Sequence, residues 1–185
     1  MKLSDYPFTE QQMQAASDEW GANCGPAALA FALRIGIDVV RGKIPGFEEK
    51  RYTSPTMMKA GLENLGFKYI AVTCPGNDNP RIAAMFANEI YLVRVQWTGP
   101  WTAPGASPKW AYRQTHWIAT WMGVGLAHKI PMVFDCNGGI MTHEAWRNNI
   151  VPLLTSQCPR ADGGWFPTHV WRPEFVGSDP QEVRP

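Results

Sequence analysis

The chain lacks zinc-type cysteine spacing, long apolar runs and an excess of either charge. Cys24, Cys74, Cys136 and Cys158 form no CxxC pair, so neither a zinc cluster nor a thioredoxin-like motif is indicated. His128, His143 and His169 stand isolated, and no metal site is expected. No apolar run reaches the roughly 18 residues of a membrane-spanning helix. The start, Met1-Lys2-Leu3-Ser4-Asp5-Tyr6-Pro7, has no uninterrupted apolar core or small-residue cleavage site, so no secretory signal is expected. A cytoplasmic protein is the expectation, or one exported without a signal peptide, as by assembly into a virion. With 17 Lys and Arg against 16 Asp and Glu the net charge is +1, and no basic patch stands out. That argues against nucleic acid or an anionic membrane as partner. Glycine-rich phosphate loops, internal repeats and charge runs are missing too, and no cofactor is expected.

What is present is 185 residues, 45% hydrophobic and 18% charged, enough for one domain with a real core. It centres on Trp20-Gly21-Ala22-Asn23-Cys24-Gly25-Pro26-Ala27-Ala28-Leu29-Ala30. Pro26 suits a first helical turn, where its missing N–H has no intrahelical partner. The spacing predicts a helix beginning near Cys24. From Ala27 to Arg34 almost every residue is apolar, as in a helix buried on most sides, and Gly36 is a plausible stop. A thiol at such a start faces unpaired N–H groups and the positive end of the helix dipole, which lowers its pKa below about 8.5. The same N–H groups are candidate oxyanion donors. By itself Cys24 could equally be a small buried hydrophobe, as most free cysteines are.

Two further runs carry matching chemistry. Thr115-His116-Trp117-Ile118-Ala119-Thr120-Trp121 and Ile130-Pro131-Met132-Val133-Phe134-Asp135 predict two strands of a hairpin. With the loop centred on Gly125-Leu126, Asp135 falls directly opposite His116, with Cβ atoms about 4.5–5.5 Å apart. A slip of one residue would separate them onto opposite faces. Asn137 shares the face of Asp135 and is the alternative group to orient the imidazole. Histidine needs such a group to fix its tautomer and aim its other nitrogen at the thiol.

The order Cys, His, Asp, with Asn-Cys-Gly-Pro-Ala-Ala at a helix start and His-Trp and Phe-Asp on strands, resembles the papain-like cysteine peptidases. Within them it is most similar to the bacteriocin leader-processing (double-glycine) peptidase-like group. The match runs from about Trp20 to about Leu154. The resemblance implies Cys24 as nucleophile, His116 as general base and acid, and Asp135 as orienter. In that family a glutamine six residues before the cysteine donates to the oxyanion; the chain has Asp18 there. Gln14, Asn23 and a displaced Gln12 are the other candidates for that donor. Trp20, Gly25, Trp101, Trp110 and Trp117 are candidate substrate contacts, the two loop tryptophans because long loops inside compact domains are often functional. A peptide, protein or peptidoglycan-type substrate would all use this triad. Acyl transfer to an amine, or a binding module that keeps the fold without turnover, are the alternatives.

The remaining chain predicts a short helix from Thr9 to Trp20, a loop from Ile37 to Thr53, and a helix capped by Ser54 and stopped by Gly66. A strand from Phe67 to Cys74, a helix from Arg81 to Asn88 and a strand from Ile90 to Trp97 follow. Past Asp135, Thr142 caps a helix ending near Pro152, and Trp165 to Trp171 is a closing strand. Cys136, next to Asp135, is expected to face away from it. The sum is an α+β papain-like domain over residues 1–172, with the Cys24 helix packed on an antiparallel sheet, and a loose tail over 173–185.

Overall fold

The computed structural model describes residues 9–20, 23–72, 85, 89–111, 113–124 and 129–176. The expected helix over 81–88, except Met85, lies outside the described residues, as do Cys74, the 125–128 loop and the last nine residues.

Helices lead the fold: α1 (Glu10–Trp20), α2 (Cys24–Leu33), α3 (Ile37–Arg41), α4 (Phe47–Lys50) and α5 (Pro55–Asn64). Where a loop was expected over 37–53, Ile37, Val40, Ile44 and Phe47 are buried. Their three- and four-residue spacing is a helical stripe, broken by glycine into two short helices. Helix α2 begins at Cys24, and Gly25 to Phe31 are all buried. It ends earlier than expected, because Arg34 takes the left-handed conformation (φ 58°). The N–H of Ile35 then reaches the Ala30 carbonyl and that of Arg34 the Phe31 carbonyl, the bonding of a Schellman end. Gly36 instead precedes α3. Ser54 caps α5 by accepting from the Met57 N–H (3.2 Å).

One open antiparallel sheet of six strands forms the body: β1 (Phe67–Ala71), β2 (Tyr91–Trp97), β3 (Thr115–Val124), β4 (Lys129–Asp135), β5 (Gly139–Thr142) and β6 (Trp165–Phe175). Their order is β1-β6-β2-β3-β4-β5. Residues 173–175, expected in a loose tail, pair with β1, with Phe67 opposite Phe175. Pro167, inside a central strand, sits beside the bulge where β6 slips against Arg94 and Val95, the setting in which a strand tolerates a missing N–H. Between β2 and β3 lies the short helix α6 (Pro108–Ala111), and between β5 and β6 a helix that starts as α7 (His143–Ala145), passes through a π turn (Trp146–Ile150) and continues as α8 (Val151–Ser156).

The sheet carries a core on each face. Helices α1, α2, α3 and α5 cover the face bearing Leu92, Trp117, Ala119, Trp121 and Phe134, and Phe31 of α2 stacks on Phe134 at 4.1 Å. Val93, Val95, Ile118 and Val133 face the other way, with Trp97, Trp101, Trp146 and Ile150. The expected α+β class with a helix-covered antiparallel sheet therefore holds. Among the described residues no helix is long and apolar enough to cross a membrane.

Candidate active site

Strand alternation places His116 with Ile118 and Asp135 with Val133, on the face turned away from α2. The register differs from the expected one. Ala119 opposes Phe134 and Thr120 opposes Val133, a two-residue shift from a hairpin centred on Gly125-Leu126. Because side chains alternate with period two, a shift of two preserves the face, and His116 and Asp135 become diagonal rather than opposed neighbours. Their contact survives: His116 Nε2 lies 2.9 Å from Asp135 Oδ2. His116 is the second residue of β3, in the middle of the sheet. The start of α2 thus meets the imidazole at a strand end, not at the sheet's lateral edge.

Cys24 is half-buried at the first position of α2, where the His116 side chain and the Trp117 N–H act on its thiol. With Nε2 engaged by Asp135, Nδ1 is the ring nitrogen left for the thiol. Burial pushes the Cys24 thiol up, yet the His116 imidazolium, its hydrogen bond and the Trp117 N–H hold it below the ordinary thiol value. Burial pushes His116 down, but the Asp135 carboxylate and the Cys24 thiolate raise it well above 6.5. Asp135, fully buried, is resisted by burial and lowered to about 2 by His116, the Asn137 N–H and the Trp146 indole. Opposite charges and donors outweigh desolvation at all three groups. Both shifts favour the proton on the imidazole and the negative charge on the sulfur.

The carboxylate is heavily supported. Trp146 Nε1 donates to Oδ2 (2.8 Å), and the backbone N–H and side-chain amide of Asn137 donate to Oδ1 (both 2.9 Å). Asn137 thus orients Asp135 rather than the imidazole. Trp97 stacks on His116 at 6.1 Å. The sequence placed Trp146 on a helix but gave no sign that its indole reaches back to Asp135.

Gln14, Asp18 and Gln12 are exposed. The Gln14 amide donates to Asp18 (2.8 Å), and Gln12 Oε1 accepts from the Thr9 N–H (2.7 Å). Neither glutamine, nor Asp18, lines the cavity at Cys24. Asn23 is buried, its amide given to the Met13 carbonyl (3.1 Å), so it ties α1 to α2. The Cys24 and Gly25 N–H groups, in the first turn, lie beyond intrahelical acceptors and are the donors left to meet an oxyanion.

Of the expected contacts, Gly25 and Trp117 line the cavity that opens on Cys24. A Cβ on Gly25 would lie 2.2 Å from Thr53 Oγ1, so only glycine fits. The Thr53 carbonyl accepts from Trp117 Nε1 (2.8 Å), joining three wall residues whose proximity no sequence signal announced. Trp20 is core instead, edge-on to Phe47 and beneath Arg41. Trp101 is buried, donates to the Trp97 carbonyl (2.7 Å) and borders a second cavity. The Trp110 side chain lies outside the described residues.

Cys136 packs against the α2-side core, as its expected alternation with Asp135 implies, yet its sulfur stays close to the site. The chain turns after Asp135, with the Gly138 N–H bonded back to the Asp135 carbonyl, and the Cys136 sulfur comes within 4.8 Å of ligand atoms of His116 and Asp135. Burial, then the negative charges of Cys24 and Asp135, keeps its thiol well above the ordinary value, so it stays protonated. Nitrogen, oxygen and sulfur in this group are zinc-type donors, but both Asp135 oxygens already accept hydrogen bonds. Searches against family models, curated proteins and solved structures find no match for the chain.

Proposed function

We propose that the chain is a papain-like cysteine peptidase, a thiol hydrolase cutting a peptide or isopeptide bond. The observation that carries this is His116 bonded to the buried Asp135 and electrostatically coupled to Cys24, whose sulfur stands at a helix start and opens to a cavity. The Cys24 thiolate attacks the carbonyl carbon, and the oxyanion meets the first-turn N–H groups. His116 gives its proton to the leaving amine and then takes one from water, which releases the acid and restores the thiolate. Asp135 keeps the ring oriented throughout. The test is the rate of Cys24 alkylation by iodoacetamide against pH, followed by hydrolysis of peptides and muropeptides. A thiolate that persists below pH 8 and depends on His116 is expected. An ordinary thiol profile overturns the proposal.

A further inference from the structure

The cavity beside Cys24 measures about 780 Å³. Arg51, Arg94, Lys109 and Arg113 line it, and among the described residues no carboxylate does. The chain as a whole is nearly neutral, with 17 basic and 16 acidic residues, so four basic side chains around one cavity are a concentration made by the fold. They come from the turn after α4, from β2, from α6 and from the turn before β3.

Elsewhere on the described surface, several basic side chains meet acids. Arg41 pairs with Glu19 and Glu48, Lys68 with Glu174, and Arg172 with Glu89. Among the described residues no carboxylate lies within ion-pair distance of Arg51, Lys109 or Arg113. Arg51 is fixed by donating to the Glu48 and Glu19 carbonyls, both at 2.9 Å, while the Glu48 carboxylate is taken by Arg41. Arg94 is 4% exposed, donates to Thr168 Oγ1 (3.4 Å) and borders both this cavity and the second one, which Trp101 also lines. A cleft of one sign with low-dielectric walls focuses its field and concentrates the opposite charge.

We infer that this cavity selects a substrate bearing a carboxylate next to the bond that Cys24 attacks. The inference rests on Cys24 acting as the nucleophile. Arg51, Lys109 and Arg113 would receive the anion, with Arg94 behind them. The carboxylate is either an Asp or Glu side chain or a free α-carboxylate.

The experiment compares alkylation of Cys24 by iodoacetate, an anion, and by iodoacetamide, its neutral counterpart, with labelling of the Cys24 peptide read by mass spectrometry. In the Lys109→Glu/Arg113→Glu variant the iodoacetate-to-iodoacetamide ratio should fall about tenfold at low salt. Lys109→Gln/Arg113→Gln should give an intermediate fall. A ratio unchanged in both variants overturns the inference. Protection against iodoacetamide separates the two carboxylate sources. N-acetylglutamic acid α-amide carries only the side-chain acid, N-acetylglutamine only the α-acid, and N-acetylglutamine amide neither. Protection by one or both acids over the neutral amide supports the inference and names the source. Equal effects of all three overturn it. An iodoacetamide pH profile of an ordinary thiol would defeat the nucleophile itself, while the ratio would still report the cavity's charge.

Discussion

His116 and Asp135 stand among side-chain donors and aromatic walls, whereas Cys24 and Gly25 stand on a helix start supported by backbone and close packing. On the sheet side, four hydrogen bonds converge on one buried carboxylate. On the helix side, Asn23 caps nothing and the first turn has no acidic residue. A charge that exists before the reaction must have its donors in place, because burial without them is costly. A charge that forms only during the reaction needs donors that are still free. The sheet half is accordingly saturated and the helix half left open.

The largest expected effect is at the junction of the halves. Cys24→Ala should abolish turnover, measured by peptide hydrolysis in the folded variant. His116→Ala should slow alkylation of Cys24 at pH 7 by at least about tenfold. It should also move the midpoint above the free-thiol value of about 8.5, because burial then acts on the sulfur unopposed by the imidazolium.

Support of the carboxylate should matter less. Trp146→Phe replaces the buried indole by a smaller ring and removes one donor to Asp135, and the lost bond together with the void should cost about 2–4 kcal/mol in denaturant unfolding. Gly25→Ala probes the helix half instead. Its methyl must displace Thr53, at a cost of about 1–3 kcal/mol, and Gly42→Ala, with nothing within 4 Å of the added Cβ, is the neutral comparison.

Acid should act in two steps. His143 is lowered to about 4 by burial and then by Arg147. A depressed histidine contributes stability that is full above its ordinary 6.5 and is lost as pH falls through about 4. Asp135, lowered to about 2, contributes stability that is full above the ordinary 3.8 and is lost only as pH falls through about 2. Unfolding free energies at pH 7, 5 and 3 should therefore decline first from His143 and from His169, which is also lowered by burial and then by Arg94, and His143→Gln should reduce that early decline. The same substitution should leave the His116-dependent alkylation profile in place.

Much of the site was legible because each part had a local cause. Pro26 and the small apolar residues announce where α2 starts, and Ser54 and Gly66 bracket α5. The hairpin carried its face even though its register moved by two, since alternation is insensitive to an even shift. What escaped has a common physical origin in contacts between distant segments. The Trp146 indole on Asp135, Thr53 against Gly25, and the burial of Trp20 depend on how elements pack, which spacing does not encode. The short helices over 37–50 were hidden by their glycines, although Ile37, Val40, Ile44 and Phe47 kept a helical stripe.

The π turn holds one more residue than an α-helix would use over the same path, with the Val151 N–H reaching back to the Trp146 carbonyl just ahead of Pro152, which has no N–H to give. Each residue of an α-helix turns its neighbours by about 100°. Deleting a single residue from 147–150 would let the segment relax into α geometry and swing the Trp146 indole away from Asp135. The surplus residue behaves like a vernier, setting by its count alone where the Trp146 side chain points.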